Sequence, residues 1–150
     1  MKLIVDSNIV FSAILNPGSR IARILLSQHK YFNLYSCHYL HEEIKHHYDK
    51  LSKLAGKSVD WVIDTEKHVT KHISFINESI IPEGDFKTEE KLVKEVYFDD
   101  VVFVALSIHL NAKLWTGDKR ITACLLRQNF TEVVNTQQLL SIIDNIEKSP

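Results

Sequence analysis

The sequence predicts an α/β fold, a three-layer α/β/α sandwich with a central parallel sheet. Three observations carry this. Short β-branched runs such as Leu3-Ile4-Val5 alternate along the chain with segments of helical period. The run over residues 100–110 is almost wholly apolar between its ends and reads as a buried helix. Turn signals such as Pro17-Gly18 and Gly56 punctuate these segments. Strands alternating with helices imply a parallel sheet covered on both faces.

The elements follow in order. Residues 3–5 form a buried strand. Residues 19–28 form a helix after the Pro17-Gly18 turn, with Ile21, Ile24 and Leu25 at helical spacing. Residues 32–37 alternate as a second strand. Residues 39–55 are expected to be one long helix, with Leu40, Ile44, Tyr48, Leu51 and Leu54 on a single stripe and Gly56 as its stop. A helix over 59–72, a strand over 73–76 and a loop over 77–86 come next. A charged helix over 88–96 then precedes the buried one. The chain closes with a strand over 112–116, a helix over 118–128, a strand over 132–134 and a helix over 137–146. No internal repeat and no linker is visible, so residues 1–150 are expected to be a single domain.

Composition bounds the function. The chain is 45% hydrophobic and 25% charged, enough for one core and unlike a disordered or fibrous chain. Lys plus Arg is 18 and Asp plus Glu is 19, a formal charge of −1, so no broad basic face announces a nucleic-acid binder. Cys37 and Cys124 are too few for a disulfide framework and suit a reducing compartment. No signal-peptide core or membrane-spanning run is seen, so a soluble, cytoplasmic protein is expected.

Ligands of parallel sheets sit beyond the carboxyl ends of the strands. Asp6-Ser7-Asn8 follows the first strand, Thr116-Gly117-Asp118 follows the strand after the buried helix, and Asp99-Asp100 opens that helix. Each acid taken alone reads as an ordinary helix cap, and Gly117 as a residue that lets the chain turn. Together they place three acidic sites on one sheet edge. Clustered carboxylates repel, and their hard oxygens select Mg²⁺ or Mn²⁺. A fourth acid is Glu43, at the margin of the 39–55 stripe, whereas Glu42 points away. Asp100 shares a face with Phe103, Val104 and Ser107, which leaves Asp99 as its capping or supporting neighbour.

These motifs resemble the PIN domain of metal-dependent nucleases, in its single-domain, VapC-like prokaryotic form. The resemblance runs from Val5-Asp6-Ser7-Asn8 through Leu40-His41-Glu42-Glu43-Ile44 and Asp99-Asp100-Val101-Val102-Phe103-Val104-Ala105-Leu106-Ser107 to Trp115-Thr116-Gly117-Asp118-Lys119. It implies Mg²⁺- or Mn²⁺-dependent cleavage of single-stranded RNA by one or two ions. Asp6, Glu43, Asp100 and Asp118 are the implied catalytic and metal-binding acids. Asn8, Asp99 and Thr116 are the implied supports. Val101-Val102 departs from the family, where many relatives carry a polar residue and proline. VapC-like relatives are commonly toxins held by a small antitoxin, and they tend to dimerise. The apolar helices over 21–26 and 51–63 are candidate surfaces for either partner. Arg20, Arg23, Lys45, Lys119, Arg120 and Arg127 are the candidate phosphate contacts.

Other readings fit less well. His41 and His46 are five apart on a helix and diverge by about 140°, so they cannot share a zinc ion. His68 and His72 make at most a two-ligand site. A haloacid-dehalogenase-like phosphatase wants an acid where Asn8 stands, and a receiver domain wants a lysine on a late strand that cannot be placed. A PIN-like interaction module without chemistry has no support in the residues, since all four acids are present.

Overall fold

The computed structural model describes residues 1–82 and 101–150. Five strands, β1 (Lys2–Val5), β2 (Asn33–Cys37), β3 (Ser74–Ile76), β4 (Lys113–Trp115) and β5 (Val133–Val134), form one sheet in the order β3-β2-β1-β4-β5. Every pairing is parallel, with Ile4 opposite Tyr35 on one side and Leu114 on the other. Among the described residues eight α-helices connect them: α1 (Ser7–Leu15), α2 (Arg20–Leu26), α3 (Tyr39–His46), α4 (Tyr48–Ala55), α5 (Val59–Val69), α6 (Val101–Leu110), α7 (Lys119–Arg127) and α8 (Thr136–Lys148). Single 3₁₀ turns occupy His29–Tyr31 and Glu78–Ile80, the latter within the stretch expected to be a loop. The architecture is the expected three-layer α/β/α sandwich. The helix expected over 88–96 and the acids Asp99 and Asp100 lie outside the described residues.

The strands read as continuous apolar runs because helices cover both faces. Leu3, Ile4, Val5, Leu114 and Trp115 are all buried. Helix α6 packs across β1, β2 and β4, and Val101, Phe103, Val104, Ala105 and Leu106 are buried, as the apolar run required. Helix α1 was not assigned from the sequence. Its Ile9, Val10, Ala13 and Ile14 are buried against α2, α3, α4 and α5.

One expected element divides in two. Residues 39–55 are α3 and α4, broken at His47, whose backbone (φ −111°, ψ 14°) leaves the helical region. The His47 ring meets Phe11 of α1 edge-on, with centroids 5.4 Å apart. The break resets the phase of the apolar stripe. Leu40, Ile44 and Leu51 are buried as expected, but Leu54 is 63% exposed. Gly56 ends α4 at φ 65°, a left-handed C-cap that favours glycine.

Both thiols, Cys37 and Cys124, are buried and outside any disulfide. Among the described residues no single helix is long and apolar enough to cross a membrane.

Candidate active site

The strand order reverses between β1 and β4, where one connection leaves toward β2 and the other neighbour comes from late in the chain. Such a switch point opens a crevice at the strands' carboxyl ends. Asp6 directly follows β1, and Thr116-Gly117-Asp118 directly follows β4. The Asp6 amide donates to the Trp115 carbonyl at 3.2 Å, so the parallel ladder itself sets the two motifs side by side.

The two aspartates behave differently. Asp118 is the cap the sequence suggested: its Oδ1 accepts from the amides of Arg120 (2.8 Å) and Ile121 (3.3 Å) at the start of α7. Asp6 stands at the same position before α1 but makes no capping bond there. Its Oδ2 accepts the Thr116 hydroxyl at 2.6 Å, and the Ser7 hydroxyl lies 3.4 Å from its Oδ1. Thr116 Oγ1 in turn accepts the Asp118 amide at 3.1 Å. Thr116, 1% exposed, therefore links the two acids with one hydroxyl.

Asp6 is only 2% exposed. Burial pushes its carboxyl above the ordinary carboxylate range; the Thr116 hydroxyl and the Ser7 amide pull it back, and the charge of Asp118 raises it again. A buried acid that a structural cap would not require, facing a second carboxylate, is the signature of a functional site.

The remaining expected site residues are placed as follows. Glu43 is half-buried on α3, which opens just past the same end of β2, while Glu42 is exposed. Asn8 is exposed in the first turn of α1. Gly117 is not sterically demanded: a Cβ there meets nothing within 4 Å, and its φ is not in the left-handed region. Among the described residues no group of three or more His, Cys, Asp or Glu side chains is gathered for a metal ion. His72 instead stacks on His29, centroids 3.6 Å apart and 9° from parallel, and His41 Nδ1 lies 3.1 Å from Glu66 Oε1. Sequence reasoning missed both contacts, because they join segments with no pattern in common.

A family model described as the PIN domain matches residues 4–139. The chain belongs to the PIN-domain family. Among solved structures, it is similar to the crystal structure of VapBC2 from Rickettsia felis bound to a DNA fragment from their promoter. The TM-score is 0.69 at 13% identity, with 90% of this chain and 98% of that chain covered. At that identity the likeness is one of fold. A search of curated proteins found no match. PIN domains are nucleases that generally use divalent metal ions, which places this chain with the hydrolases of nucleic acid rather than with the phosphatases weighed above. The matched span contains Asp6, Glu43, Asp100, Thr116 and Asp118.

Proposed function

We propose that this PIN domain is an endoribonuclease that cleaves single-stranded RNA with Mg²⁺ or Mn²⁺, and that residues 1–150 act as one catalytic domain. The observation that carries this reading is the almost wholly buried Asp6 carboxylate beside Asp118 at the β1/β4 switch point. The donor chemistry fits a hard divalent cation. Two carboxylates raise each other's energy where they stand, and a cation relieves both. Asp6 and Asp118 would hold the ion, with Asp100 and Glu43 completing one site or contributing to a second. A bound ion would supply a water acidic enough to ionise near neutral pH and would offset charge on the phosphate.

The chain's own residues do the rest. The Thr116 hydroxyl donates to Asp6 Oδ2 and keeps that carboxylate in one orientation. Asp118 is held by the α7 amides through Oδ1, so its other oxygen is presented in a fixed direction. Burial of Asp6 excludes water from behind the acid, which strengthens its interaction with any cation in front of it. Asn8 and Asp99 are assigned supporting roles at the crevice.

The biological setting we propose is that of a cytoplasmic toxin of a toxin–antitoxin pair, held by a small protein and able to dimerise. The fold likeness to VapBC2, seen in that structure with DNA from the promoter, supports this setting. Co-purification with a small neighbour-encoded protein would support it further, and healthy overexpression of the chain alone would count against it.

The decisive experiment is incubation with total RNA, with and without Mn²⁺, for the wild type and Asp6→Asn, with the cut ends mapped. Metal-dependent cleavage that disappears in Asp6→Asn is expected. Equal cleavage by the two proteins, or none by the wild type, overturns the reading.

A further inference from the structure

A cavity of about 520 Å³ opens beside the carboxylate pair, between α7 and the start of α8. Its size falls in the ~300–1,000 Å³ range of pockets that hold small organic groups. Thr116 lines it and also donates to Asp6, so the cavity and the acidic site share a wall. Leu126, half-exposed, and Val133 give it an apolar side, and Lys119 gives it a cation.

Asn135 and Gln138 also line it, beside Thr122 and Thr131, and the chemistry of the two amides is one-sided. They form the capping box of α8: Asn135 Oδ1 accepts the Gln138 amide and Gln138 Oε1 accepts the Asn135 amide, each at 2.8 Å. Both carbonyl oxygens are thus committed to the backbone. The two NH₂ groups remain, without hydrogen-bond partners among the described residues. At the α8 end the cavity therefore offers two amide donors, with an ammonium and an apolar surface near them, next to the proposed nuclease site.

We propose that this cavity seats one nucleobase of the single-stranded RNA, adjacent to the phosphate at Asp6 and Asp118, and selects a base bearing carbonyl acceptors, guanine or uracil, over adenine. The proposal rests on the nuclease reading above. Single-stranded RNA is read by splaying a base onto an apolar or aromatic surface and bonding its edges. Leu126 and Val133 supply the surface, Lys119 the neighbouring backbone phosphate contact, and the two amide NH₂ groups the edge contacts. Guanine presents O6 and N7, both acceptors, whereas adenine sets a donor amine beside its N7. Two donors therefore match the former and meet a donor on the latter.

The capping box permits a clean test. Asn135→Asp and Gln138→Glu keep the oxygens that cap α8, since Asp at the N-cap and Glu three residues later are good partners. Each replaces an NH₂ donor with an oxygen. Metal-free, isotopically labelled protein is titrated with 5′-GMP, 5′-UMP and 5′-AMP and followed by amide chemical shifts. The expected result is shifts at Thr116, Lys119 and Gln138, with GMP and UMP binding at least fivefold tighter than AMP. Each variant should keep its Tm and lose that preference, whereas Lys119→Ala should weaken all three nucleotides alike. Equal binding of the three nucleotides, shifts elsewhere, or an unchanged preference in both variants overturns the proposal. Cleavage of oligonucleotides with Mn²⁺ separates the two readings. If RNA is cut but the variants cut guanine- and adenine-flanked sites as the wild type does, the base site fails alone. If the nucleotides bind as described but RNA is never cut, the nuclease reading fails alone.

Discussion

The Thr116 hydroxyl donates to Asp6 Oδ2 at 2.6 Å, and both groups are buried where β1 and β4 end. Residues 110 positions apart in the sequence thus share one short hydrogen bond at the switch point of the sheet. Thr116→Val keeps the shape and removes the donor. It leaves a buried acid without its main partner and is expected to lower unfolding stability by about 1–3 kcal/mol. Thr116→Ser retains a hydroxyl and should recover most of the loss. Denaturant titration of the three proteins measures both effects.

Asp6 gives the protein an unusual pH dependence. Its carboxyl is raised above the unfolded value of 3.8, chiefly by burial, so the folded state holds that proton more tightly than the unfolded chain does. The stability this contributes is fully present below the unfolded value and is lost as pH rises through the raised folded value. In EDTA, above that raised value, the wild type therefore carries a buried charge that Asp6→Asn lacks. The variant is expected to be more stable there by roughly 1–3 kcal/mol and inactive, with a stability profile that falls less as pH rises from the unfolded value. An Asp6→Asn protein whose stability without metal falls with rising pH as steeply as the wild type's contradicts this account.

Divalent metal should reverse that order. A ligand that binds only the folded state stabilises it by about 2.7 kcal/mol at a hundred times its Kd. Mn²⁺ is expected to raise the Tm of the wild type and to leave Asp6→Asn unmoved. A thermal-shift series in Mn²⁺ and Ca²⁺ reads this without any RNA.

Asp118 has two separable roles. Asp118→Ala removes the α7 cap, which typically costs 0.5–2 kcal/mol, along with the metal oxygen. Asp118→Asn keeps a capping oxygen and removes only the charge. Both variants should lose the Mn²⁺-dependent shift, and only the alanine variant should lose stability in EDTA. Calorimetry of the pair with and without Mn²⁺ decides it.

Away from the crevice, Glu66 is buried on α5 with Oε1 beside His41 of α3 and Oε2 without a hydrogen-bond partner. Its charge also helps burial push the Tyr48 hydroxyl of α4 up to about 12. His41→Ala strands this acid and should cost about 1–3 kcal/mol, and adding Glu66→Leu should recover part of it, because removing both partners is milder than removing one. Equilibrium unfolding of the single and double variants measures the coupling.

Much of this was legible in the sequence, and the limits have physical causes. The strands were visible because buried parallel strands are short apolar runs, and α6 because its run is almost wholly apolar. Asp6 and Asp118 could be placed on one edge because strand ends are set by topology. Their different roles could not be read, since both stand before a helix and only the fold shows that Asp6 bonds to Thr116 while Asp118 caps α7. The break at His47 left no mark, because helical period runs through it; the ring contact with Phe11 that accompanies it joins two distant segments. Gly117 was over-read, as its backbone needs no glycine. The donor-only character of Asn135 and Gln138 was hidden as well, because it follows from where their carbonyl oxygens are spent.

The pairing of β1 with β4 also sets a schedule for synthesis. The first acid leaves the ribosome at residue 6, but its partner hydroxyl and second carboxylate follow only at residues 116 and 118. Every nascent chain that ends before residue 113 lacks the strand that closes the crevice, whatever else has already folded. A chain cut off before residue 113 carries Asp6 but neither Thr116 nor Asp118, so its crevice has one wall and one acid.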